Sequence, residues 1–269
     1  MGKFEELKFR EYKLFCIENE LSQNTIKSYF NTLKQLESYI NSASSRQLDK
    51  STLIEFKQAL REKPYEYSLS TCNQKITVIN IYLNWLGKSE LSLKLFKQQS
   101  NNHRESINED DFNRLLRYAN EEMTLFILTI SNTGLRISEV CKLTKGDLDR
   151  SIIEIENKGK VRIIDIPLFL KKKLRVYMKM HEEDELIFYK SQQFYRNELK
   201  NIAGKSKVKK SKVYPHSFRH YFAKKYIADG GDSVSLMQML GHSDIKTTTI
   251  YTKMSKEELA KTFRNIRNN

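Results

Sequence analysis

Apolar residues recur at helical spacing through most of the first hundred positions. Phe4, Leu7, Phe9, Tyr12, Phe15 and Cys16 predict a helix over residues 3–20, broken at Asn19-Glu20-Leu21-Ser22. Ser22 has the side chain of an N-cap, and Ile26, Tyr29, Phe30, Leu33, Leu36 and Ile40 form one stripe behind it, so a second helix should run to about residue 40. A polar loop follows over 41–46. Asp49 or Ser51 opens a shorter helix to about residue 61, which Lys63-Pro64 stops. Ser68 or Ser70 opens a fourth, carrying Ile76, Ile79, Tyr82, Leu83 and Leu86 and closing at Gly87. Residues 1–97 therefore predict a small helical domain. Residues 98–106 are polar and aperiodic, as a linker would be.

A second domain is expected over 107–269. Asn108 should cap a helix with Glu109, Asp110 and Asp111 in its first turn, where carboxylates meet the positive helix end. An apolar helix follows over 122–131, punctuated by Gly134, and another over 136–143. The period then drops to two. Residues 151–156 and 161–167 read as strands, and Asn157-Lys158-Gly159-Lys160 as the hairpin turn between them. Helices are expected again over 171–181, 191–202, 217–229, 233–240, 247–251 and 256–267, with a lysine-rich loop over 205–212. The fold class is mainly α with one small β-hairpin.

Composition agrees with this reading. The chain has 269 residues, enough for one large or two ordinary domains; only 9 are glycine and 3 proline, which suits helices. Net charge is +14, with +4 in residues 1–100 and +10 beyond. A balance of that size favours a polyanionic partner, although a lysine-rich soluble protein would share it. Three cysteines, Cys16, Cys72 and Cys141, lack a CxxC pair and an even count, which argues for reduced thiols and a cytoplasmic setting. Met1-Gly2-Lys3-Phe4-Glu5-Glu6 does not open as a signal peptide, and no apolar run approaches membrane-spanning length.

The candidate chemistry lies in the second domain. Thr133-Gly134-Leu135-Arg136-Ile137-Ser138-Glu139 places Arg136 just past a glycine at a helix start. His216-Ser217-Phe218-Arg219 places a histidine and an arginine one turn apart. Leu240-Gly241-His242 follows, and Tyr251 stands nine residues after His242. Arginines and histidines can hold a phosphodiester and neutralise its oxygens, and a tyrosine hydroxyl can attack its phosphorus. Each residue alone has an ordinary structural explanation; their order together does not arise readily by chance. No P-loop and no HExxH motif is present, and the acids form no convincing two-metal set.

In these motifs the chain resembles the tyrosine recombinases, or phage integrase family, with a likeness to Xer-type enzymes. The likeness is weak over 1–100 and strong over 107–269. It implies catalytic roles for Arg136, Lys158, His216, Arg219, His242 and Tyr251, with Lys160 as the alternative to Lys158 and Glu139 orienting the first arginine. Tyr251 would form a 3′-phosphotyrosine link, the arginines would stabilise the crowded phosphorus, and Lys158 would protonate the departing 5′-oxygen. His216 would assist proton transfer at the tyrosine, and His242 would donate to a phosphate oxygen. The phosphotyrosine conserves the bond energy, so neither ATP, metal nor other cofactor is expected. Residues 1–97 would be a core-binding, SAM-like domain that helps clamp duplex DNA. Lys27, Lys34, Lys57 and Lys75 are candidate phosphate contacts, as are Lys207, Lys209, Lys210 and Lys212, although solvated helix faces carry lysines too. Met254, Leu259, Phe263 and Ile266 suggest a C-terminal helix exchanged between protomers of a tetramer on DNA. No additional arm-binding domain is expected, which favours a core site of two inverted half-sites, with a second recombinase or an accessory protein as further partners. The competing readings are a phosphotyrosine nicking–closing enzyme of topoisomerase type and a non-catalytic DNA-binding regulator of the same fold.

Overall fold

The computed structural model describes residues 8–43, 46–97, 106–157, 160–181 and 185–241. Lys158, His242, Tyr251, linker residues 98–105 and the helices expected over 247–251 and 256–267 lie outside them. The chain divides into two compact units between residues 102 and 103.

Among its described residues the first unit has four α-helices: α1 (Phe9–Glu18), α2 (Gln23–Asn41), α3 (Lys50–Ala59) and α4 (Leu69–Trp85). Ser22, Asp49 and Ser68 cap the last three, each side chain accepting a hydrogen bond from the backbone N–H three residues on. Leu33, Leu36, Leu53, Phe56, Ile76, Ile79 and Leu83 are sealed in the core. Tyr12 meets Tyr82 edge to face, centroids 4.8 Å apart, and Trp85 at a tilt, while Tyr82 stacks on Trp85.

The second unit contains α5 (Glu109–Tyr118), α6 (Glu121–Thr133), the single turn α7 (Ile137–Val140), strands β1 (Ile153–Asn157) and β2 (Lys160–Ile164), then α8 (Leu168–Lys179), α9 (Gln192–Lys205), α10 (Pro215–Ala228) and α11 (Ser233–Leu240). Asn108 and Asp111 form a reciprocal capping box at the start of α5. Helix α6 runs through the middle of the core, packed by α8, α9 and α10. Its Phe126 stacks on Tyr195 of α9, centroids 4.4 Å apart. A smaller apolar cluster, Phe222, Ala223, Leu236 and Leu240, joins α10 to α11.

The expected helix over 136–143 is cut short. Backbone pairing takes over: the Ile187 N–H donates to the Leu143 carbonyl and the Lys145 N–H to the Glu185 carbonyl, both at 2.9 Å. The lysine-rich loop over 205–212 is also shorter than expected, because α9 reaches Lys205 and a 3-10 turn occupies Lys210–Lys212. The hairpin is antiparallel, with Ile153 opposite Ile164 and Ile155 opposite Arg162. Period two turns Arg162 and Ile164 inward, while Val161 and Ile163 face out.

Candidate active site

The site is built where helices end. Helix α6 stops at Gly134, whose φ of 66° is the left-handed conformation that glycine takes at least cost. A Cβ there would lie 2.7 Å from Phe222 Cδ1 and 2.8 Å from Leu240 Cδ2. Helix α11 stops in the same way at Gly241, with φ 62°. The two helix ends are therefore close-packed, and both present carbonyl oxygens with no partner further along their helices.

Arg219 fills the gap between them. Nη1 donates to the Gly134 carbonyl at 2.6 Å and Nη2 donates to the Leu240 carbonyl. The side chain sits on α10 and is 1% exposed. Its charge lies at the negative ends of two helix dipoles, which is a favourable place for a buried cation.

Arg136 follows Gly134 by two residues. Its backbone N–H donates to Glu139 Oε2 at 2.7 Å and its Nη1 donates to Oε1 at 3.1 Å. A third group completes this arrangement: Arg162 Nη1 and Nη2 donate to Glu139 Oε1 and Oε2 at 3.0 and 2.6 Å. Burial pushes the Glu139 carboxyl up, but hydrogen bonds and charge from Arg162 and Arg136 outweigh it and hold the pKa at about 2. Glu139 is thus a permanent carboxylate between two guanidiniums. Arg162 is the functional candidate that sequence motifs pass over. Its signal is the alternation of β2, which puts a charged residue on the same face as Ile164.

His216 stands on the first turn of α10, its ring 4.6 Å from that of His220. Crowding by protein, then the Arg219 and Arg136 charges, lower its pKa. The residue remains accessible to solvent, so the arginine charges are the firmer cause. His216 and Arg219, one turn apart on α10, differ in exposure: His216 lies at the surface and Arg219 is buried. The structure brings Arg136, Glu139, His216 and Arg219 together, and Leu240-Gly241 ends at this place.

Of the candidate DNA contacts, Lys27, Lys34, Lys207, Lys209 and Lys210 are exposed. Lys57, Lys75 and Lys212 hold their ammonium groups against other groups of the protein. Lys57 Nζ donates to the Lys94 carbonyl at 2.7 Å and lies 4.5 Å from the Phe96 ring. Lys75 Nζ donates to Gln35 Oε1 at 2.7 Å, and burial lowers its pKa. Lys212 Nζ is 3.5 Å from Asp111 Oδ2. Cys141 is half-buried, and burial pushes its thiol up to about 11, so it is not an activated nucleophile. Among the described residues no helix is long and apolar enough to cross a membrane, and no group of three or more His, Cys, Asp or Glu could hold a metal ion.

Residues 105–258 match the phage integrase family, and residues 10–90 match the phage integrase N-terminal SAM-like domain. The chain is 27% identical to the tyrosine recombinase XerA of Thermococcus onnurineus over 266 residues, covering 93% of this chain and 92% of that one. Among solved structures, the Tn1549 transposon integrase in complex with transposon right end DNA aligns with a TM-score of 0.71 at 16% identity, covering 97% of this chain and 99% of that one. The XerH site-specific recombinase bound to its difH substrate aligns at 0.70 and 20%, covering 90% and 79%. At these identities the structural likenesses establish the fold. The length of the family match, its N-terminal partner domain and the motifs gathered at the two helix ends lead to one assignment: the chain belongs to the phage integrase family, as a tyrosine recombinase.

Proposed function

We propose that this recombinase cuts and rejoins duplex DNA at a core site through a covalent link to Tyr251. The Tyr251 hydroxyl attacks the scissile phosphorus, a P–O bond to the tyrosine forms, and the bond to the 5′-oxygen breaks. His216 takes the tyrosine proton, which its lowered pKa suits, since the imidazole stays neutral near pH 7. Lys158 gives a proton to the departing 5′-oxygen. Arg136 reaches the phosphate from the partly exposed rim, while Arg219, fixed between two carbonyls, supplies charge from beneath; His242 donates to a phosphate oxygen. Attack by the 5′-hydroxyl of another strand on the phosphotyrosine reverses the step with a new partner. The observation that carries this reading is the convergence of Arg136, His216 and Arg219 at the two glycine-capped helix ends, the second of which His242 follows directly in the sequence.

We further propose that the protein works in the cytoplasm on two inverted half-sites, as a tetramer in which residues 254–269 reach a neighbouring protomer. The basic charge of both units supports a duplex partner.

The test is a suicide duplex, nicked near a core site so that cleavage traps the protein, incubated with EDTA. Wild type should give an SDS-resistant adduct and Tyr251→Phe none. Tight, salt-sensitive binding without an adduct on any genomic or random duplex would instead indicate a DNA-binding regulator. Relaxation of supercoils without recombinants would indicate a nicking–closing enzyme.

A further inference from the structure

We infer that Arg162, on the inward face of β2, is a positioning residue for strand cleavage: acting through Glu139, it sets the orientation of the Arg136 guanidinium. The inference rests on the recombinase reading for the reaction it serves, but its structural basis is independent of that reading.

Each oxygen of the Glu139 carboxylate takes one bond from Arg162 and one from Arg136: Oε1 at 3.0 and 3.1 Å from the two Nη1 atoms, and Oε2 at 2.6 Å from Arg162 Nη2 and 2.7 Å from the Arg136 backbone N–H. A guanidinium bound through two nitrogens fixes the plane of a carboxylate as well as its place. That plane decides where the remaining lone pairs point, and Arg136 uses them. Arg136 itself is about one-third exposed, so without a fixed acceptor its long side chain would sample many rotamers.

Arg162 is in turn held on two sides. Its backbone pairs with Ile155 in the hairpin, and a Cβ at Gly241 would come within 3.0 Å of its Cδ and 3.1 Å of its Nη1. One buried side chain, 8% exposed, thus touches the hairpin that leads to Lys158, the carboxylate that holds Arg136, and the glycine before His242. A purely structural ion pair is the simpler explanation. Yet buried ion pairs are poor stabilisers compared with apolar packing, whereas one that shares its carboxylate with a residue at the rim gains a use in orientation. Lysine could not replace it fully, since an ammonium is a point donor without a fork.

Single-turnover cleavage of the nicked duplex and duplex binding should be measured for wild type, Arg162→Lys, Arg162→Met, Arg136→Ala and the Arg136→Ala/Arg162→Met double variant. Each is assayed well below its own unfolding temperature. Arg162→Met should slow cleavage about 10- to 100-fold, the range for residues that orient a working ligand, with duplex Kd within about threefold of wild type. Arg162→Lys should fall between. In the Arg136→Ala background, followed over long incubations, Arg162→Met should slow cleavage by less than about threefold, because the group it orients is gone. Equal losses in both backgrounds would reveal a merely structural residue and overturn the inference, as would cleavage by Arg162→Met at the wild-type rate. A separate readout is a carbon-13 titration of Glu139, which should rise clearly above about 2 in Arg162→Met. An unmoved titration overturns the link from Arg162 to Glu139 even if no duplex is cut. Loss of the wild-type adduct itself would count against the recombinase reading, while the titration would still decide the link.

Discussion

His216 and Arg219 are one helical turn apart, yet they work in different surroundings. Arg219 is sealed between two backbone carbonyls, and removing it would leave both acceptors buried without it. His216 is exposed, and crowding by protein, followed by the Arg219 and Arg136 charges, disfavours its protonated form. Its folded pKa therefore lies below the unfolded 6.5, and the direction of every pH effect follows. Well above pH 6.5 the imidazole is neutral in both states and contributes nothing to the pH dependence of stability. As pH falls below that value the unfolded chain binds the proton first, and the fold loses stability through His216. The acid limb of single-turnover cleavage should accordingly lie below 6.5, set by the same proton. In a proton NMR titration of the imidazole, Arg136→Gln should move the His216 pKa upward; a downward move or none would mean that the arginine charge is not what holds it. The motif itself makes Arg136, Glu139, His216 and Arg219 legible in the sequence. Arg162 is less so, because Val161-Arg162-Ile163-Ile164 reads as an ordinary strand and the carboxylate that explains it lies 23 residues earlier.

At the scale of elements, caps are the most legible feature. Ser22, Asn108 and the glycines after α4 and α6 stand where short polar side chains or left-handed backbone are needed, and these are local requirements. The end of α7 was not legible, since pairing with residues 185–187 decides it and no neighbouring residue announces that. The junction of α6, α10 and α11 is likewise tertiary. Gly134 is required there twice, for its φ of 66° and because Phe222 and Leu240 occupy the space of a side chain. Gly134→Ala should cost about 1–2 kcal/mol for the left-handed backbone and about 1–3 kcal/mol for overpacking. Because the Gly134 carbonyl holds Arg219, the same substitution should also slow cleavage. Urea unfolding monitored by circular dichroism gives the first quantity as a lower midpoint at unchanged slope. A loss under about 1 kcal/mol would show that Phe222 yields easily and that the helix ends are less tightly set than their contacts imply.

For the whole molecule, net charge gives the class of partner but not the places where it is held. The sequence counts Lys27, Lys34, Lys57 and Lys75 alike, since each lies on a helix among polar neighbours. Folding separates them. Lys57 and Lys75 spend their ammonium groups on a carbonyl, an amide and aromatic faces, while Lys27 and Lys34 stand exposed on α2. A phosphate contact by an exposed lysine releases condensed counterions at little cost to the protein. The same contact by Lys57 or Lys75 must first break an internal bond. Fluorescence anisotropy of a labelled duplex over a salt series distinguishes the two kinds. If α2 faces the duplex, Lys27→Ala and Lys34→Ala should each reduce the slope of log affinity against log salt by about 0.9. Lys57→Ala and Lys75→Ala should leave it nearly unchanged while lowering the unfolding midpoint of the first unit. The exposed Lys207 offers the parallel case in the second unit, where Lys207→Ala should flatten the slope more than Lys212→Ala, whose ammonium faces Asp111. Equal slope changes for both groups would mean that internal hydrogen bonds do not sort the basic surface, and that the duplex is held by diffuse charge.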